Sequence, residues 1–94
     1  MILGYADRDT DRFAVGERVR RFEAFAAQAV RRLAQLEQAE TLADMAVPPG
    51  NRLEALRGDR AGQHSVRINR QWRLCFVWDE ARGGATDVSI VDYH

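Results

Sequence analysis

The sequence has 94 residues, 46% hydrophobic and 30% charged, with a formal net charge of zero. This length and composition predict one globular domain over residues 1–94, built around a single core. The sequence contains no run of eighteen apolar residues, which excludes a transmembrane helix, and we expect no secretory signal at the N-terminus.

The chain has one cysteine, Cys75. A single cysteine cannot form an internal disulfide, which fits a protein of the reducing cytoplasm. Its neighbours in "RLCFVW" are apolar, so we predict a buried structural thiol.

The first half of the chain is predicted to be mainly helical. Ile2–Tyr5 is expected to form a short strand and Asp9–Ala14 a short helix that Gly16 interrupts. A long amphipathic helix is predicted from about Glu17 to Ala39, with room for a break inside it. Its apolar stripe comprises Val19, Phe22, Phe25, Ala26, Ala29, Val30, Leu33 and Leu36. The arginine pairs between them form either a solvated face or a surface for a partner protein.

Two local signals follow this helix. Thr41 with Asp44 three residues later resembles a capping box that starts one short helical turn. Pro48-Pro49-Gly50 is predicted to end that turn.

After Gly50 the apolar pattern changes to a period of two, which is typical of strands. "QHSVRIN" and "WRLCFVW" are predicted to form a hairpin around Asn69-Arg70-Gln71, and "TDVSIVD" the last strand. The second of these is apolar on both faces, so we place it centrally. The predicted fold class is α+β, with the N-terminal helices packed on one face of a small, mostly antiparallel twisted sheet.

Positive charge is concentrated in residues 47–74. This segment holds six arginines against Glu54 and Asp59, a net charge of +4 on a neutral chain. Such a local field is typical of a site for an anion such as phosphate, although charges on strands and turns can also simply face solvent.

Arg73 is the arginine least easily explained by folding alone. Alternation places it in the central strand, on the face opposite Trp72 and Leu74. A charge there usually has a partner. The partner is either a structural carboxylate, such as Glu54 or Asp92, or a bound anion.

The segment "PPGNRLEALRGDRAGQHSVRINRQWRLCFVW", followed by the final "IVDYH", resembles the HigB-type toxins of the RelE/ParE superfamily. The match lies in "LRGDRAG", the "SVRIN" hairpin, the "QWRLCF" strand and the terminal "DYH", from Pro48 to His94. The helical half agrees in length and order but carries no diagnostic motif.

The resemblance implies the RelE-like microbial RNase fold and a function as the toxin of a type II toxin-antitoxin system. Members of this family are cytoplasmic endoribonucleases that cut mRNA in the ribosomal decoding site. They use no metal or organic cofactor. A HigA-like helix-turn-helix antitoxin neutralises them, and no membrane partner is expected.

The resemblance also assigns residues to the site. The catalytic residues are expected to be Arg57 of "LRGD", Arg73 of "WR", Tyr93, His94 and Glu54, which stands where some members have histidine. RNA contacts are expected from Arg52, Arg60, Arg67, Asn69 and Arg70.

These residue types suit cleavage by the RNA's own 2′-hydroxyl. The arginines would stabilise the phosphorane, His94 would exchange protons and Tyr93 would stack on a base or hold a phosphate oxygen. Glu54 would be the base, unless it only pairs with an arginine, and Tyr93 can also simply pack.

Other polar residues are given structural roles. His64 alternates with Val66 and Ile68, so we predict a packed histidine, and Asp59 is expected to shape a turn. Cys75, His64 and His94 lack metal-ligand spacing, so no metal site is predicted.

Two other classes remain open. ParE-like relatives share the fold but poison DNA gyrase, and they generally lack the terminal Tyr-His pair. An inactive relative that serves as a repressor or structural partner would fit Glu54 and Asn69, which depart from the family pattern.

Overall fold

The computed structural model describes residues 1–92; Tyr93 and His94, both predicted catalytic residues, lie outside the described residues. Within this range no helix has the length and apolar character needed to cross a membrane. The α-helices are α1 (Arg8–Ala14) and α2 (Ala26–Gln38), and short 3-10 helices cover Arg20–Phe25, Leu42–Ala46, Pro49–Asn51 and Gly58–Arg60. The strands are β1 (Glu54–Ala55), β2 (His64–Arg67), β3 (Trp72–Asp79) and β4 (Gly84–Asp92).

Helix α1 is close to its predicted position, and hydrogen bonds in its first turn stabilise it. The Asp7 carboxylate accepts hydrogen bonds from the Thr10 backbone N–H at 2.7 Å and from the Thr10 hydroxyl at 2.9 Å. The same hydroxyl oxygen accepts a bond from the Ile90 N–H at 3.0 Å, which joins α1 to β4. Gly16 then takes a φ of +98°, a left-handed conformation that suits glycine, just beyond the end of the helix.

The long helix predicted from about Glu17 to Ala39 starts later than expected and contains the break for which the prediction left room. Arg20–Phe25 is a 3-10 helix, and the α-helix begins only at Ala26. A 3-10 helix places residues i and i+3 in line, so the rings of Phe22 and Phe25 both enter the core, 0% and 3% exposed. Both rings therefore belong to the core although they precede the α-helix.

The apolar stripe of α2 was predicted in part. Ala29, Leu33 and Leu36 are buried as expected, whereas Val30 is 54% exposed. The predicted capping box is confirmed, because the side chains of Thr41 and Asp44 each accept from the backbone N–H of the other. It starts the 3-10 helix Leu42–Ala46.

Within residues 1–92 the sheet has the strand order β1-β2-β3-β4, and each neighbouring pair is antiparallel. β3 lies between β2 and β4, so the central position predicted for "WRLCFVW" is confirmed. The register of β3 and β4 shifts by one residue near Asp87, which has a φ of +51°. This is a β-bulge in β4.

The N-terminal segment lies along the outer edge of β4. The predicted strand Ile2–Tyr5 takes the form of two isolated parallel bridges, Ile2 with Ala85 and Tyr5 with Val88. The Leu3 N–H donates to the Ala85 carbonyl at 2.7 Å, and the Val88 N–H donates to the Gly4 carbonyl at 3.1 Å. The segment therefore covers an edge that would otherwise be open to pairing with another chain.

The core lies between the helices and one face of the sheet. Val66, Leu74 and Ile90 from the sheet are at most 1% exposed and belong to one buried cluster with residues of the helical half, namely Phe13, Phe22, Phe25, Leu33 and Leu36. Trp72 closes one end, with ring centroids 4.9 Å from Phe25 and 5.8 Å from Phe22. The predicted α+β class, with helices on one face of the sheet, is confirmed.

Candidate functional site

The second face of the sheet, opposite the helices, carries most of the polar side chains of the strands. Residues paired across strands lie on the same face, and neighbours along a strand alternate. One row on this second face consists of Glu54, Ser65, Cys75 and Ser89, and the next consists of Arg67, Arg73 and Val91. The small side chains of the first row from Ser65 to Ser89 are buried, whereas Arg67, Arg73 and Val91 are half-buried.

Arg73 lies near the hairpin end of β3, one residue after the strand begins. Its Nη1 donates hydrogen bonds to the Asn69 carbonyl at 2.6 Å and to the Trp72 carbonyl at 3.2 Å. Both acceptors are neutral, so these bonds orient the guanidinium without cancelling its charge.

The ion pair considered for Arg73 is not among those of residues 1–92. The ion pairs in that range are Arg12–Glu17, Arg18–Glu23, Arg21–Asp9 and Arg82–Asp79. The predicted alternative of a structural pair with Glu54 or Asp92 is therefore replaced, within the described chain, by bonds to the hairpin backbone.

The charges of Arg60 and Arg73 both act on the buried thiol of Cys75. Burial raises the pKa of the Cys75 thiol to about 11, and the positive charges of Arg60 and Arg73 act in the opposite direction. The thiol is fully buried and protonated at neutral pH, so it is no nucleophile. The predicted buried thiol is confirmed, and two arginines of the positive segment influence its pKa.

Arg57 and Glu54 lie at the edge of the sheet. Glu54 is exposed in the two-residue strand β1, opposite Ser65. Arg57 is also exposed and immediately precedes the 3-10 helix Gly58–Arg60, where Gly58 has a φ of +63°. Asp59 lies inside this turn, as expected.

The predicted RNA contacts occupy different surroundings. Arg70 is exposed in the β2–β3 hairpin turn, and Arg67 is half-buried with its carbonyl accepting from the Arg32 Nε at 2.9 Å. Asn69 serves the turn itself, because its Oδ1 accepts from the N–H groups of Gln71 and Trp72 at 2.8 Å each. Arg52 is exposed, with a φ of +50°.

Arg52 differs from the other predicted RNA-binding residues in the part of the molecule that holds its backbone. It follows Asn51, whose side-chain nitrogen donates to the Gln35 Oε1 of α2 at 2.9 Å and to the Met45 carbonyl at 3.1 Å. The chain at Arg52 is therefore held by the helical half of the molecule, whereas Arg67 and Arg73 lie on the second face.

Sequence reasoning missed Gln71. Its Nε2 donates to the Asp92 Oδ2 at 2.7 Å and so ties the hairpin to the end of β4. Strand pairing carries the signal, because Trp72 is opposite Asp92 and brings its neighbour Gln71 within reach.

His64 has the packed environment that was predicted. Its ring is stacked on Phe76, with centroids 6.4 Å apart, and its Nδ1 is buried. Within residues 1–92 the His, Cys, Asp and Glu side chains form no group of three that could hold a metal ion.

A cleft of about 260 Å³ lies elsewhere, between the N-terminal segment and the two α-helices. It is lined mainly by apolar side chains, including Phe13 and Leu33, with Glu37 as its charged residue. Tyr5 also lines it; burial raises the pKa of its phenol, as do the negative charges of Asp11 and Glu37. None of the predicted site residues within 1–92 lines this cleft.

Two comparisons with known proteins bear on the site. A family model described as the RelE-like toxin of the type II toxin-antitoxin system HigB matches residues 5–94. Toxin HigB-1 of Vibrio cholerae serotype O1 is 46% identical over 48 residues, which are 51% of this chain and 50% of the relative. The chain spans about half the length of the curated relative it matches.

Proposed function

The chain belongs to the HigB-like family of RelE-like toxins of type II toxin-antitoxin systems, and we propose that it is a metal-independent endoribonuclease that cuts mRNA on the ribosome. Cleavage of translated messages blocks protein synthesis, which accounts for toxicity.

The position of Arg73 is the observation that carries this activity. Its guanidinium lies on the face of the sheet away from the helices and is oriented by two neutral carbonyls, and its charge acts on Cys75 together with that of Arg60. A planar cation held in this way can bind two phosphate oxygens at once. A purely structural arginine in a central strand would instead be expected to have a carboxylate partner.

The reaction needs only groups that such a site can supply. The 2′-hydroxyl of the RNA attacks the adjacent phosphorus, and the bond from phosphorus to the 5′-oxygen of the next nucleotide breaks. A base takes the hydroxyl proton, an acid gives a proton to the departing oxygen, and positive charge stabilises the phosphorane. The products are a 2′,3′-cyclic phosphate and a 5′-hydroxyl end.

We assign these roles by resemblance to the family. Arg73 and Arg57 stabilise the phosphorane, Glu54 is the base and His94 is the acid, while Tyr93 stacks on a base or holds a phosphate oxygen. The exposure of Glu54 and Arg57 at the edge of the sheet supports their access to a large substrate. Arg52, Arg60, Arg67 and Arg70 contribute phosphate contacts.

The partners follow from the same assignment. The ribosomal decoding site positions the mRNA, so the protein needs to supply few substrate contacts of its own. A HigA-like helix-turn-helix antitoxin binds and neutralises the toxin, and the site of action is the cytoplasm.

Mapping of RNA ends in translation reactions tests this function. Purified protein is added to ribosomes that translate a defined mRNA, with the same mRNA free of ribosomes as the control. We expect cuts inside translated codons and intact RNA in the control. Intact mRNA in both reactions, together with inhibition of DNA gyrase in a supercoiling assay, would contradict the proposal and favour a ParE-like toxin.

A further inference from the structure

The β2–β3 hairpin is organised by the side chain of Asn69. Its Oδ1 accepts hydrogen bonds from the backbone N–H groups of Gln71 and Trp72, both at 2.8 Å. Asparagine commonly shapes turns in this way, by bonding to backbone groups two or three residues ahead. These two bonds fix the geometry of the turn and with it the direction of the Asn69 carbonyl.

The same residue holds Arg73 through its backbone. The Asn69 carbonyl accepts a hydrogen bond from Arg73 Nη1 at 2.6 Å, the shorter of the two bonds that this nitrogen makes to carbonyls. We propose that Asn69 is a positioning residue: it sets the turn that aims the Arg73 guanidinium at the scissile phosphate, and it does not itself bind RNA. This inference rests on the proposed function.

The register of the sheet explains why the Arg73 side chain needs a hydrogen bond that fixes its orientation. Arg67 is directly opposite Arg73 in the β2–β3 pair, on the same face. Like charges at opposed positions repel each other and favour arrangements in which the two side chains move apart. A short bond to the hairpin carbonyl selects one of these arrangements for Arg73.

The hairpin also holds the strand that leads to Tyr93 and His94. Gln71 donates to the Asp92 carboxylate at 2.7 Å, and its own N–H is one of the two that Asn69 caps. The turn that orients Arg73 is therefore joined to the end of β4. Within the turn between the two strands, Arg70 is exposed and is the residue that contacts RNA.

A double-mutant cycle tests the inference in the ribosome cleavage assay. The variants are Asn69→Ala, Asn69→Asp, Arg73→Ala and the double variant Asn69→Ala/Arg73→Ala. Asp79→Ala is the matched control, because Asp79 Oδ1 caps the Arg82 N–H in the β3–β4 turn at the other end of the sheet.

We expect Asn69→Ala to lower the cleavage rate at saturating ribosomes about tenfold to a hundredfold, since small misplacements of catalytic groups have effects of this size. The affinity for ribosomes stays unchanged. Asn69→Asp keeps the capping oxygen and restores most of the rate, and Asp79→Ala cleaves like the wild type. In the Arg73→Ala background the Asn69 substitution has no further effect, because Asn69 acts through Arg73.

An Asn69→Ala loss that multiplies with the Arg73→Ala loss, or one that appears as weaker binding, would assign Asn69 to RNA contact and overturn the inference. A wild-type rate for Asn69→Ala would overturn it as well. If wild-type protein cuts no mRNA, the proposed function fails instead.

A measurement on the free protein separates a failure of the positioning role from a failure of the proposed function. NMR exchange of the Arg73 guanidinium reports its rotation, which we expect to be faster in Asn69→Ala than in wild type and in Asp79→Ala. An unchanged rotation would overturn the positioning role whatever the substrate.

Discussion

Arg73 and Cys75 are two residues apart on one strand and on the same face, yet their environments suit opposite kinds of chemistry. Arg73 is half-buried and keeps its charge among neutral acceptors, whereas Cys75 is fully buried and keeps its proton. Position along the strand makes the difference, because Arg73 is beside the hairpin turn and Cys75 is inside the sheet between Ser65 and Ser89.

Arg73→Ala is expected to leave the protein folded and to lower the cleavage rate strongly while leaving it measurable. Loss of a donor that stabilises a developing negative charge lowers the rate on the order of a hundredfold or more. The two lost bonds go to carbonyls beside a turn, so the free energy of unfolding should fall by about 1–3 kcal/mol, counting about 0.5–1.5 kcal/mol for each. A thermal melt and a cleavage assay on the same preparation check both effects.

Arg73→Lys is the matched control for charge. It keeps the charge but loses the planar fork, so we expect a rate between those of the wild type and of Arg73→Ala. An unfolded Arg73→Ala protein, or a folded one of wild-type activity, would contradict the catalytic role.

Cys75 should make stability depend on pH in alkali. Its pKa rises from an ordinary 9.0 to about 11 in the folded protein, so folding favours the protonated thiol. The stabilisation is therefore fully present below pH 9 and is lost as the pH rises to about 11. A shift of this size corresponds to at most about 3 kcal/mol.

Denaturant unfolding of wild type and Cys75→Ala between pH 8 and pH 11 measures the effect. The raised pKa of Tyr5 acts in the same direction in both proteins, so only the difference between their pH profiles is assigned to Cys75. Parallel profiles would show that the thiol does not contribute.

At the scale of elements, the contact between β4 and the N-terminal segment depends on Gly84. A Cβ on Gly84 would lie 2.6 Å from the Met1 carbonyl oxygen and 2.8 Å from the Leu3 Cγ. The first of these is a backbone atom in a strand-like pairing, so it cannot move without breaking the bond between the Ala85 N–H and the Met1 carbonyl.

Gly84→Ala should therefore lower the free energy of unfolding by about 1–3 kcal/mol, the usual effect of overpacking. Gly4→Ala is the matched control, because Gly4 belongs to the same pairing and a Cβ there meets nothing within 4 Å. Equal stability of the two variants in denaturant titrations would show that the N-terminal segment does not press on β4 as described.

At the scale of the whole molecule, charge is separated between the helical half and the sheet. The exposed ion pairs of Arg12, Arg18 and Arg21 lie in or beside the first helices. Of the arginines of segment 47–74, Arg67 and Arg73 lie on the second face, and the charges of Arg60 and Arg73 both act on Cys75. That residues 1–94 form one domain stays a prediction.

Ribosome binding should weaken as salt rises, because phosphate contacts release counterions. Each contact to single-stranded RNA contributes a slope of about 0.7 in the log–log plot of affinity against salt. Arg70→Ala, at the exposed tip of the hairpin, should reduce the slope by about one contact. Arg31→Ala, on the exposed side of α2, should leave it unchanged. A flat dependence for the wild type would contradict the role of segment 47–74.

Features that depend on residues close in the sequence were predictable. The period-two alternation predicted β2, β3 and the hairpin between them, and the apolar character of β3 predicted its central position. The capping box of Thr41 and Asp44 was predictable because its hydrogen bonds span only three residues. The resemblance in the second half of the chain named Arg57 and Arg73 before their surroundings were known. Their catalytic roles, and those of Tyr93 and His94, remain proposals.

Features that depend on contacts between segments distant in the sequence were decided by the tertiary structure. The sequence alone determined strands, turns and the positive segment, because side-chain alternation and turn chemistry act over a few residues. Only the folded chain decided three features: the 3-10 segment from which Phe22 and Phe25 enter the core, the parallel run of residues 1–6 along β4, and the joint electrostatic effect of Arg60 and Arg73 on Cys75. Each of these requires segments distant in sequence to pack together, and the free energy of that packing outweighs local preference.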